Sequence, residues 1–148
     1  MNENRVEQNL NRQNKEEQII RVSPLGKTWI LDLDGTIVKH NGYKIDGKDT
    51  FLPGAKEFLD SIPDTDRIIF LTSRKDTLEE GQTRTAKQLT EEFLKENHIR
   101  YDHIIWNAPY GERILVNDSK PSGLPMAYAV CPKRDEFFEE KFEVDESL

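Results

Sequence analysis

One cysteine, Cys131, is all the thiol chemistry this 148-residue chain carries. That excludes an internal disulfide and a zinc site built on cysteines, and leaves Cys131 to be read as a small hydrophobe. Histidine is nearly as scarce. His40, His98 and His103 stand at no ligand-like spacing and read as packing or surface residues. No apolar run approaches the roughly 20 residues that a membrane helix needs, and the polar first residues lack the apolar segment of a secretory signal. The expectation is therefore a cytoplasmic protein with no membrane partner. Positive charge is also in deficit. Against 28 Asp and Glu the chain has 21 Lys and Arg, a formal net charge of -7. No basic stripe offsets that balance, so no nucleic-acid partner is expected.

What the chain does have is a pair of carboxylates in an unusual place. Trp29, Ile30, Leu31 and Leu33 make a short apolar run of buried-strand length, and Asp32 and Asp34 stand where it ends. Along a strand, residues i and i+2 point to the same side, so the two carboxylates can share one site. Gly35 and Thr36 follow at once and supply a turn. Buried carboxylates are costly unless a metal, a cation or water meets them. The carboxyl ends of strands in open α/β sheets are where ligands bind.

The rest of the chain supports a strand–helix alternation. Residues 1–24 are rich in Asn, Gln, Glu and Arg and read as a polar arm or loosely docked helix. Residues 39–50 are polar and punctuated by Gly42 and Gly47, which suits a small hairpin or flap. Pro53 opens a helix whose apolar stripe is Ala55, Phe58, Leu59 and Ile62. Residues 67–71 form a second apolar run that ends in two hydroxyls and the cation of Arg74, delivering Thr72, with Ser73, to the same sheet edge. A long helix is expected over 76–98, a third strand over 101–106, and a fourth at Ile114-Leu115-Val116 leading into Asn117 and Asp118. Met126 to Val130 reads as an edge strand. Residues 133–148 form an acidic tail in which Phe137, Phe138 and Phe142 would anchor a terminal helix. At this length one domain is the default, and it spans residues 25–132. Alternating strands and helices imply a parallel sheet with right-handed crossovers, an α/β fold.

Asp32-Leu33-Asp34-Gly35-Thr36 resembles the first motif of the haloacid dehalogenase (HAD) superfamily of phosphohydrolases at every fixed position. The Thr72 strand end is similar to the second motif and Asn117-Asp118 to the fourth; Leu52-Pro53-Gly54-Ala55 matches a segment common at the helix after the flap. The resemblance covers Lys27 to about Val130. It implies a HAD-like, Rossmann-like three-layer fold with a parallel central sheet and a flap. No cap domain fits between these motifs.

By the same resemblance, Asp32 is the nucleophile that forms an aspartyl phosphate, and Asp34 is the acid and base that serves the leaving group and then water. Thr72, with Ser73, binds the phosphoryl oxygens. A magnesium ion would be held by Asp32, Asp118 and the main-chain carbonyl of Asp34. Its charge matters because one like-charge pair at 4 Å costs about 4 kcal/mol at an effective dielectric near 20. Magnesium suits hard oxygen ligands, with water and substrate phosphate completing the octahedron.

The family's third-motif lysine has no counterpart at Ile104 to Pro109. Lys120, then Arg113, are the preferred replacements, with Lys87 a third candidate. The expected activity is magnesium-dependent hydrolysis of a phosphomonoester, on a sugar phosphate or another phosphorylated metabolite, small or large, by a chain that can form a homo-oligomer. The alternative is a non-catalytic phosphate- and metal-binding module that holds a protein partner.

Overall fold

The structure, a computed structural model, describes residues 18–148. Most of the expected N-terminal arm, up to residue 17, lies outside the described residues. The chain divides into two compact units. One comprises the described residues 18–25 with 115–131 and 138–148; the other comprises 26–114 with 132–137.

The smaller unit is built on two parallel strands, β1 (Ile19–Val22) and β5 (Lys141–Val144), in a register that runs from Ile19 opposite Lys141 to Val22 opposite Val144. Ile20 and Phe142 face each other across the pair and, with Val22, are its half-buried positions. Ile19 and Ile20 thus leave the arm in which they were expected, and Phe142 lies in a strand and not in a terminal helix. Each short segment here is too brief to propagate a helix alone, whereas pairing satisfies both backbones at once. The strands expected at Ile114–Val116 and Met126–Val130 do not form. Ile114, Leu115 and Val116 are 87%, 62% and 90% exposed. An apolar run becomes a strand only where a neighbour takes up its N–H and C=O groups, and these have none among the described strands.

The larger unit holds a parallel three-stranded sheet in the order β2 (Thr28–Leu31), β3 (Arg67–Leu71), β4 (His103–Ile105). Between β2 and β3 run a helical turn α1 (Gly42–Ile45) and helix α2 (Ala55–Ser61); α3 (Ala86–Glu96) connects β3 to β4. Asp66 fixes the start of the sheet, accepting from the Lys27 N–H and the Trp29 indole N–H, each at 2.9 Å.

Leu31, Ile68 and Phe70 form one buried cluster with Ala55 and Leu59 of α2 and Leu94 of α3. The opposite face is open: Ile30 is 48% and Ile105 51% exposed. Within this unit the described residues therefore make two layers, one sheet and one layer of helices, and not the three that were expected. Parallel pairing is what the two units share; the described helices all lie in the larger one, which is α/β.

Helix α3 begins ten residues later than its apolar spacing suggested. Thr85 accepts from the Gln88 N–H at 3.0 Å while Gln88 Oε1 accepts from the Thr85 N–H at 2.9 Å, a reciprocal cap that sets the start at Ala86. The flap is a closed excursion. Lys39 N–H donates to Thr50 O and Leu52 N–H to Ile37 O, both at 2.9 Å, so residues 39–50 leave and return at one point with α1 at the tip.

Candidate functional site

Asp32 is the first residue past β2, and the chain then closes on itself. The N–H groups of Thr36, Ile37 and Val38 all donate to Leu33 O, and the Gly35 N–H donates to Val38 O at 2.7 Å. Gly35 has φ 78°, and a Cβ there would meet Arg134 Cγ at 2.9 Å. Residues 132–137 return over this turn: Asp135 N–H donates to Gly35 O at 2.8 Å, and Asp135 Oδ1 accepts from the His40 N–H at 2.7 Å. Glycine is required by both the backbone sign and the close approach.

Within the turn, Asp32 Oδ2 accepts from the Thr36 hydroxyl at 3.0 Å. Burial pushes the Asp32 carboxyl above its ordinary range and the nearby Asp34 charge adds to that; the Thr36 and Leu33 hydrogen bonds and the Arg113 charge act the other way.

Asp34 is held differently. Arg74 donates to it twice, Nε to Oδ2 and Nη2 to Oδ1, each at 2.9 Å. Arg74 is itself buried and shared. Its Nη1 and Nη2 donate to Asp49 at 2.9 and 2.8 Å, Nη1 also donates to the Thr90 hydroxyl at 2.7 Å, and the Tyr43 ring lies 4.2 Å from Cζ. Burial opposes charge on the guanidinium, but the hydrogen bonds it donates to Asp49 and Asp34 outweigh that and hold Arg74 above its ordinary value. One cation thus fixes the aim of Asp34 and ties it to the flap through Asp49 and Tyr43. Asp34 Oδ1 also accepts from the Asn41 N–H at 3.4 Å, so Oδ2 is the oxygen that keeps a further lone pair for proton exchange.

Thr72 is buried on the helix-covered side, and its hydroxyl accepts from the Arg74 N–H at 3.1 Å. It shapes the strand-end turn in this conformation. Ser73 lies toward the other side, where its Oγ accepts from Arg113 Nη2 at 3.3 Å and donates to Pro109 O at 3.4 Å. Arg113 is braced by its own loop, Nη1 donating to Pro109 O at 2.7 Å and to Gly111 O at 2.8 Å.

Asp32, Asp34, Thr72, Ser73 and Arg113 therefore gather in the larger unit. Asp118 and Lys120 belong to the smaller one, on the exposed 115–131 stretch. Lys87 lies on α3. Sequence reading took Arg74 only as the cation that ends the β3 run, a further contact beside Thr72, and it missed Asp49, Thr90 and Tyr43. An arginine directly after a buried strand is the one signal that pointed there.

For a magnesium ion, the larger unit offers the Asp32 carboxylate and the Asp34 carbonyl, which accepts none of the described backbone hydrogen bonds. The side chain of Asp34 is committed to Arg74. No cluster of three His, Cys, Asp or Glu able to hold a metal occurs among the described residues. One carboxylate and one carbonyl, both hard oxygens, fit magnesium, which keeps several waters and takes its remaining ligands from substrate phosphate.

No helix among the described residues is long and apolar enough to cross a membrane. No family model matches this chain. No curated protein is similar to it. A chain in the solved structure of a Pnkp1/Rnl/Hen1 complex is similar at 23% identity and a TM-score of 0.44, over 63% of this chain and 32% of that one, so the chain spans about a third of that protein's length.

Proposed function

We propose that this protein is a magnesium-dependent phosphomonoester hydrolase of HAD type working through Asp32. The observation that carries the reading is the pairing at the end of β2. Two carboxylates stand two residues apart, one with Thr36 as its neighbour and the other aimed by a buried arginine through two hydrogen bonds. A surface Asp-Gly turn has no use for a 2%-exposed guanidinium behind it.

In the first half-reaction an Asp32 oxygen forms a bond to phosphorus while the bond to the leaving oxygen breaks. Asp34 gives that oxygen a proton. In the second, Asp34 takes a proton from water as the water oxygen attacks phosphorus and releases Asp32. Arg113 offsets the phosphate charge. Its place beside Ser73 and its charge acting on Asp32 favour it over Lys120 within the larger unit. Within the larger unit, Asp32 through its carboxylate and Asp34 through its carbonyl are the residues that would hold magnesium. When bound, the ion supplies charge neutralisation and orients the phosphate.

The test is a phosphorylated-metabolite screen with magnesium, repeated with EDTA and with Asp32→Asn. Phosphate release that needs both the metal and Asp32 supports the reading. Normal turnover by Asp32→Asn removes the nucleophile assignment. A silent screen combined with co-purification of one protein partner favours the binding module.

A further inference from the structure

On the open face of its sheet the larger unit has an open cleft of about 450 Å³, within the range of small-molecule sites. Its position follows from the strand register. Leu31 pairs with Phe70 and Phe70 with Ile104 in the buried row. The next positions, Asp32, Leu71 and Ile105, share the open face, with adjacent strands about 4.8 Å apart. Leu71 and Ile105 form part of the cleft's lining, with Trp106 and Ala108, and Arg113 also lines it.

The walls are set in advance. Thr72 N–H donates to Ile105 O at 2.9 Å, Ala108 N–H to Thr72 O at 3.0 Å, and Asn107 N–H to Arg74 O at 2.9 Å. These bonds staple the loop after β4 to the end of β3. Of the polar side chains in the lining, Glu112 is an exposed carboxylate, and two others are engaged elsewhere. Asn107 exchanges two hydrogen bonds with Asp76, at 2.8 and 3.2 Å, and Arg113 is braced on Pro109, Gly111 and Ser73. A hydroxyl-rich ligand would find one exposed carboxylate, Glu112, in these walls, while an apolar ring face would find aliphatic floor and an indole.

We propose that this cleft binds the leaving group of the phosphoester, and that this group is a flat aromatic ring. The inference rests on the reading of Asp32 as the phosphate-handling residue, and it names the substrate class of that site. The ring lies on Leu71 and Ile105 against Trp106, and the phosphate reaches Asp32 and Arg113.

The experiment is calorimetric titration of full-length Asp32→Asn protein, with magnesium, using phenyl phosphate, glycerol 1-phosphate and glucose 1-phosphate. Phenyl phosphate is expected to bind at least tenfold more tightly than either of the others. Trp106→Leu and Ile105→Ser, each checked for an unchanged melting temperature, should erase that preference. Equal affinities, or a preference that survives both substitutions, would overturn the proposal. Glucose 1-phosphate binding as tightly as phenyl phosphate would replace the aromatic ring with a sugar. Asp32-dependent hydrolysis without any ring preference would leave the hydrolase standing and remove the cleft. Ring preference with no hydrolysis by the wild-type protein would do the reverse.

Discussion

Arg74 grips Asp34 through both carboxylate oxygens at 2.9 Å while only 2% of its side chain is exposed. The same guanidinium holds Asp49, also 2% exposed, from the flap. Deleting one member of such a group leaves the others charged and buried, which costs about 3–5 kcal/mol. Arg74→Ala should therefore lower unfolding free energy by about that amount in a denaturant titration. Arg74→Lys keeps the charge but not the planar fork, and should lose turnover at least tenfold with KM little changed.

Asp49 and Arg74 act as one unit in this scheme. Asp49→Ala alone should be destabilising, and combining it with Arg74→Ala should cost less than the two separately. A coupling of about 0.5–3 kcal/mol in a double-mutant cycle is the expected outcome. Strict additivity would contradict the shared cation.

The Asp32 carboxyl, raised mainly by burial and also by Asp34, holds its proton more tightly in the folded protein than in the unfolded chain. Its favourable contribution is full below the ordinary carboxylate range and is lost as pH rises through the raised value. At neutral pH, without divalent cations, the charged group opposes folding. Asp32→Asn should then raise the melting temperature at pH 7, and the gain should shrink as pH falls toward about 4. An identical melting temperature for both proteins at pH 7 would contradict the burial of that charge.

Gly35 has a left-handed backbone and residues 132–137 against it. Gly35→Ala should cost about 1–2 kcal/mol from the backbone alone. It should also loosen the bond from Asp135 N–H to Gly35 O, seen as faster amide hydrogen exchange at Asp135.

How far the sequence could be read depended on whether a residue's partner was local. Asp32 and Asp34 were legible because an apolar run and an Asp-Gly turn bracket them, and β2, β3 and β4 because each run has its own turn signals. The Thr85–Gln88 cap is a short-range pattern too, but the apolar spacing of Leu78 and Ala86 masked it. Asp49 carries no signal, since a carboxylate in a polar flap looks solvated until Arg74, 25 residues on, is placed beside it. The register of β1 with β5 joins residues more than 100 positions apart and left no local mark. Ile114–Val116 shows the converse, a strand-like composition without a strand, because pairing is decided by a neighbour and not by the segment itself.

Phosphate release from a panel of aryl and sugar phosphates, compared between the wild-type protein and Asp32→Asn with and without EDTA, bears most directly on the chemistry at β2. Wild-type protein should release phosphate only with magnesium, and Asp32→Asn should fall by about a thousandfold or more. Release at the wild-type rate by Asp32→Asn, or none from any member of the panel by the wild-type protein, would contradict it.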